Sequence, residues 1–139
     1  MTEFKFHQKA LVLNQEDKFL VLKRAYTNQK WDLPGGAVEL PETHQDALCR
    51  EIKEETGLEI TDIKPECVQT AHEDDGVYTL FIGYSCRALL EEVILSHEHT
   101  EFSWVSANEF LNMDATAYLK DFVRDTLGEK QAVFSKSKL

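Results

Sequence analysis

Apolar and aromatic residues crowd positions 4–13, from Phe4 to Leu13, and return at 18–24 as Lys18-Phe19-Leu20-Val21-Leu22-Lys23-Arg24. The polar run Asn14-Gln15-Glu16-Asp17 between them predicts a turn, so the two stretches form a hairpin. Trp31-Asp32-Leu33-Pro34-Gly35-Gly36 is dense in structure breakers and reads as a shaped loop. Residues 43–56 carry no proline, have Thr43 as a cap at the start and Gly57 past the end, and predict a helix. Strands are expected at 66–73 and 77–89, a short strand at Trp104-Val105, and helices at 106–112, capped by Ser106, and 115–127, ended by Gly128. Strands interspersed with a central and a C-terminal helix predict one α/β or α+β sandwich over residues 1–130, with a flexible tail at 131–139.

Composition narrows the function. With 139 residues, 42% of them hydrophobic, the chain is long enough for one self-sufficient core. Fifteen basic against twenty-five acidic side chains give a formal charge of −10, which disfavours a nucleic-acid polymer or an anionic membrane as partner. A small anionic ligand remains compatible, because a divalent cation reverses the local field. Cys49, Cys67 and Cys86 form no Cys-x-x-Cys pair, and free thiols in a reducing compartment are expected. The sequence has no apolar run long enough for a membrane span and no signal-like apolar start, so a cytoplasmic location is expected. The ending Ser137-Lys138-Leu139 would make a peroxisome the alternative in a eukaryote.

The chemistry concentrates in residues 36–58. On a helix, Glu51 and Glu55 lie about 40° apart and Glu54 about 60° to the other side of Glu51, which spreads three carboxylates over about 100°. Neighbouring carboxylates repel, and a hard cation such as Mg²⁺ compensates because it prefers carboxylate oxygens. An isolated Arg-Glu-x-x-Glu-Glu would be no more than a solvated face of good helix formers. The wider spacing is more specific: Gly36, Glu42, Arg50-Glu51-Ile52, Glu54-Glu55 and Gly57-Leu58.

This run resembles the signature of the Nudix hydrolases, and all nine of its defined positions match. An accidental match at a given start is on the order of 10⁻⁹. Trp31 to Gly36 looks like the family's approach to its loop, and Glu98-His99-Thr100-Glu101 before Trp104 looks like its later acidic segment. Pro41 departs from the Gly that many members carry before the first glutamate. The resemblance implies an α/β/α sandwich with a mixed sheet and a pyrophosphohydrolase that needs Mg²⁺, with Mn²⁺ as a substitute. It implies Glu51, Glu54 and Glu55 as metal ligands, with the carbonyl of Gly35 or Gly36 as a further one. Glu54 is the first choice for general base and Glu98 the second; Glu98 and Glu101 compete as a ligand from an opposing loop. Arg50 is expected to organise the glutamates, with Glu42 as partner, and Gly35, Gly36 and Gly57 to serve backbone needs.

The expected substrate is a small nucleotide, a nucleoside diphosphate linked to another group. A nucleoside triphosphate, modified or not, giving monophosphate and pyrophosphate is slightly favoured by elimination. Alternatives are ADP-ribose or a nucleotide sugar, or a non-catalytic nucleotide sensor on the same fold. Lys23 and Arg24 are candidates for phosphate, and Trp31, Tyr78, Phe81 and Phe102 for stacking on a base. His97 and His99 read as ordinary loop histidines. A homodimer is open, since many relatives form one.

Overall fold

The computed structural model describes residues 4–26, 28–72 and 77–128. The tail at 131–139, its last three residues and the end of the strand expected to reach 73 lie outside them. The first two strands are where the apolar pattern puts them: β1 at Phe4–Leu13 and β2 at Phe19–Arg24. Asn14 shapes the turn between them, its Oδ1 accepting from the N–H groups of Glu16 and Lys18. The segment expected to be pure loop holds two short strands, β3 at Trp31–Asp32 and β4 at Gly35–Ala37.

Helix α1 spans His44–Thr56, one residue inside the expected start, because Thr43 caps it by accepting from the Asp46 N–H. Gly57 ends it in the left-handed conformation at φ 74°, its N–H donating to the Lys53 carbonyl. β5 covers Ile60–His72 and β6 Tyr78–Ala88. β5 therefore begins well before the start expected at Glu66. Proline cannot donate to a strand ladder, but β5 is an edge strand and its register is irregular between Pro65 and Cys67, where a missing N–H is tolerated. β7 is also longer than expected, His99–Val105, since its largely polar sequence hides pairing with β2. α2 at Ala107–Leu111 has a capping box between Ser106 and Glu109. α3 covers Ala117–Val123 and passes into a π-helical turn at Arg124–Gly128, so the expected 115–127 helix is divided.

The sheet runs β3-β2-β1-β6-β5, with β4 also on β1 and β7 also on β2. β1 and β6 are parallel and the other pairs antiparallel, so the sheet is mixed. Alternation along β1 and β2 feeds two cores. Ala10, Val12, Leu20 and Leu22 pack with Leu48 and Ile52 of α1. Leu11, Phe19 and Val21 pack with Phe110 of α2 and Leu119 and Phe122 of α3. Helices on both faces of a mixed sheet make the α/β/α sandwich. No helix among the described residues is long and apolar enough to cross a membrane.

Candidate active site

β1 and β2 pair only beside their turn, at Leu13↔Phe19, and then diverge. Residues 31–37 fill the opening. β3 pairs with β2 through Leu22↔Asp32 and Lys23↔Trp31, and β4 pairs with β1 through His7↔Ala37 to Lys9↔Gly35. Between these strands the Ala10 N–H donates to the Pro34 carbonyl at 3.0 Å. The wedge opens onto a cleft of about 470 Å³.

One wall carries His7 and Lys9 of β1, Gly35 and Gly36 of β4, and Glu51 and Glu55 of α1. The other carries Arg24, Tyr26, Glu98 and His99. Asp32 ties the two together. Its Oδ2 accepts from Lys9 Nζ at 3.2 Å and Arg24 Nε at 3.0 Å, while its Oδ1 accepts from the Leu33 N–H. Burial alone would raise the Asp32 pKa, but Lys9 and Arg24 outweigh it and hold the carboxyl below its usual range. Burial likewise opposes the charge on Lys9, and Asp32 and Glu55 more than restore it. Both groups are therefore ionised at neutral pH.

The glutamates divide by environment. Glu55 is buried, accepts from the Gly35 N–H at 2.9 Å, and is pushed up to about 8 by burial, against the pull of Lys9. Glu51 is raised by burial despite its bond to Arg50. Glu54 is 60% exposed and stands at the rim, outside the cleft lining. Arg50 organises the group. It grips Glu42 with two donors, Nε to Oε2 at 2.6 Å and Nη2 to Oε1 at 3.0 Å, and reaches Glu51 and Glu54 with Nη1. Glu42 is held below its ordinary value by that fork, and Glu42 also accepts from the Glu39 N–H.

The three helix carboxylates do not converge on one point as helical spacing alone suggests. Arg50 holds Glu51 and Glu54, and Gly35 holds Glu55. Among the described residues no three His, Cys, Asp or Glu side chains are close enough together to enclose an ion. In chemistry the set still fits a hard cation: Glu51, Glu55 and Glu98 line one cleft with oxygen donors, and Gly36 leaves the Glu51 carboxyl uncovered.

Arg24, Gly35, Gly36, Glu51, Glu55 and Glu98, all expected in the site from the sequence, line the cleft. Of the six substrate candidates, the five other than Arg24 do not. Trp31 packs against the core beneath α2 and α3, and Tyr78, 46% exposed on β6, stands outside the lining. Phe81 is fully buried against Tyr118 and Phe122. Lys23 pairs with Glu101, and Phe102 is exposed on β7. His7, Lys9, Asp32 and Tyr26 line the cleft without any motif to mark them, and so does His99, which reads in the sequence as an ordinary loop histidine. A charged residue inside an apolar strand, as Lys9 is, was the available signal. Burial lowers the His99 pKa against the neighbouring Asp32.

Comparison with known proteins agrees with this fold. A family profile described as the NUDIX domain matches residues 6–126. Nucleoside triphosphatase NudI of Escherichia coli O17:K52:H18 is 30% identical over 105 residues, covering 68% of this chain and 74% of its own length. The NudI of Enterobacter sp. strain 638 is 32% identical over 95 residues, covering 61% and 67%. Among solved structures, a MutT protein from Methanosarcina mazei Go1 superposes with TM-score 0.78 at 32% identity, covering 93% of this chain and 96% of that one. The NUDIX domain of Shewanella oneidensis NrtR, solved with ADP ribose, shares the fold at TM-score 0.73 and 18% identity, covering 91% and 90%.

Proposed function

We propose that this chain, which belongs to the Nudix hydrolase family and is a pyrophosphohydrolase, cleaves nucleoside triphosphates to monophosphate and pyrophosphate with Mg²⁺. The observation that carries the reading is the single cleft lined by Glu51 and Glu55 of α1 and by Glu98, with Asp32 tied to Lys9 and Arg24 between them. The likeness to proteins described as nucleoside triphosphatases supports the choice of substrate.

Nudix hydrolases generally need a divalent metal. Here Glu51 and Glu55, with Glu54 at the rim and a carbonyl of Gly35 or Gly36, would hold it; when bound, it neutralises phosphate charge and lowers the pKa of water. Arg50 keeps the carboxylates in place by a planar fork. Arg24 gives its Nε to Asp32 and its Nη1 to Asn28 Oδ1 and lines the cleft, so its Nη2 serves phosphate oxygens. Glu98 lines the cleft whereas Glu54 is bound to Arg50 at its edge, so Glu98 becomes our choice for taking the proton from the attacking water, with Glu54 second. Water adds to phosphorus, the anhydride P–O bond breaks, and pyrophosphate leaves.

The test is a panel of canonical and oxidised nucleoside triphosphates, ADP-ribose and nucleotide sugars, with Mg²⁺ or Mn²⁺. Wild type should release pyrophosphate from triphosphates, and Glu98→Gln should lower kcat by about 10²-fold or more. A larger loss in Glu54→Gln than in Glu98→Gln would return the base to Glu54. Faster turnover of ADP-ribose would move the substrate class, and no turnover across the panel would refute hydrolysis.

A further inference from the structure

Arg24 ends β2, and the hairpin of β2 with β3 holds its guanidinium at two nitrogens. Asp32 stands opposite Leu22 in the register, which makes Arg24 its diagonal neighbour. Asp32 is buried, and its Oδ2 accepts from Arg24 Nε at 3.0 Å. In the turn between the strands, Asn28 Oδ1 accepts from Arg24 Nη1 at 3.4 Å. The same oxygen accepts from the Lys30 N–H at 3.1 Å, so the turn pins the acceptor itself. The Arg24 N–H closes the hairpin by donating to the Lys30 carbonyl.

An arginine and a carboxylate frequently share two parallel bonds. Asp32 is kept from that fork. Its Oδ1 is taken by the Leu33 N–H at 2.8 Å, and its Oδ2 accepts from Lys9 Nζ as well as from Arg24. These bonds use Nε and Nη1 of Arg24 and leave Nη2 out. A planar group held at two nitrogens has its plane fixed. The rotamer freedom of this arginine is therefore lost in folding and not in binding, which favours a ligand that meets it.

Resting on the nucleotide reading above, we propose that Asp32 and Asn28 are positioning residues that fix the Arg24 guanidinium so that Nη2 meets a phosphate oxygen of the substrate. Lys9 and the Leu33 N–H serve the same end by keeping the Asp32 carboxylate from closing on Nη2. Asp32 and Asn28 act through Arg24 and do not touch the substrate.

The test is calorimetric titration with Mg²⁺ and a nucleoside triphosphate that carries methylene groups in place of both anhydride oxygens, which reads binding without turnover. Arg24→Ala should weaken binding by about tenfold. Asp32→Asn should weaken it about as much, because one amide oxygen must then serve Leu33, Lys9 and Arg24. Asp32→Asn/Arg24→Ala should bind no more weakly than Arg24→Ala alone, since a residue that acts through another adds nothing once that other is gone. Asn28 is exposed, so its variants fold even where Asp32→Asn does not. Asn28→Ala should weaken binding by about threefold in wild type and have no effect beside Arg24→Ala. Asn28→Asp, which keeps the acceptor oxygen, should bind as wild type does. Losses that add across either pair, or Asp32 and Asn28 variants that all bind like wild type, overturn the inference and leave the nucleotide reading intact. A wild type that binds no nucleotide overturns both.

Discussion

The backbone of Gly36 lies against the carboxyl of Glu51: a Cβ at position 36 would stand 2.7 Å from Glu51 Cδ. The close approach brings the β4 wall of the cleft and a candidate ligand of α1 together without a side chain between them. Gly36→Ala therefore displaces the flexible end of Glu51 and not any backbone. Stability should change by less than about 1 kcal/mol, while kcat should fall by about 10²-fold because the carboxylate is misplaced. Thermal melting and initial rates on the same preparation check the split.

Gly35→Ala should behave in the opposite way. Gly35 has φ 143°, and a Cβ there would meet the Gln8 carbonyl oxygen at 2.0 Å. The clash is backbone on backbone, in the pairing of β4 with β1. Destabilisation of more than about 2 kcal/mol is expected in urea unfolding. A variant as stable as wild type would show that the path of residues 33–36 is wrong.

Arg50 grips Glu42 with two parallel donors and spares a third for Glu51 and Glu54. A lysine keeps the charge and loses the fork. Arg50→Lys should lower kcat and metal affinity by about 10- to 100-fold, as the loss of a residue that orients ligands does. Mn²⁺ titration by electron paramagnetic resonance measures the second quantity. Unaltered metal affinity would remove Arg50 from the site.

Asp32 links Lys9 and Arg24, and Asp32→Asn would leave a buried lysine without its anion. A loss of about 3 kcal/mol is expected at neutral pH. The sign of the pH effect follows from the lowered folded pKa. Stability from Asp32 is present above the unfolded value, near pH 4, and is lost as pH falls through the lower folded value. Wild type should therefore lose stability below about pH 4 more steeply than Asp32→Asn. Parallel acid profiles in the two proteins would contradict the tie.

Gly83 sits on β6 beneath Phe122 of α3, and a Cβ there would lie 2.5 Å from the ring. Gly83→Ala should destabilise by about 1–3 kcal/mol through overpacking, with kcat preserved at temperatures where the protein is folded. A coupled loss of kcat in the folded variant would mean that the α3 layer shapes the cleft.

What the sequence alone determined was local. The caps at Thr43, Gly57 and Ser106 are written in neighbouring residues, so α1 and the start of α2 were legible to within a residue. The same holds for the nine spaced positions from Gly36 to Leu58, because contiguous helix and loop chemistry needs no distant partner. The strands β1 and β2 were legible from their uninterrupted apolar runs, since each buries both faces in a core. The tertiary structure decided the rest. Nothing in the local pattern says that β1 and β2 part after Leu13↔Phe19, or that residues 31–37 enter the gap as two strands. That path brings Lys9, Arg24 and Asp32 together and turns Trp31 into the core. The polar strand β7 and the early part of β5 gain their pairing from distant segments, which is why their extents were missed. His99 is an ordinary loop histidine in the one-dimensional text. It becomes a cleft wall with a buried nitrogen that no described residue partners only once β7 lies beside β2, because burial and the lack of a partner are properties of what surrounds a residue in space.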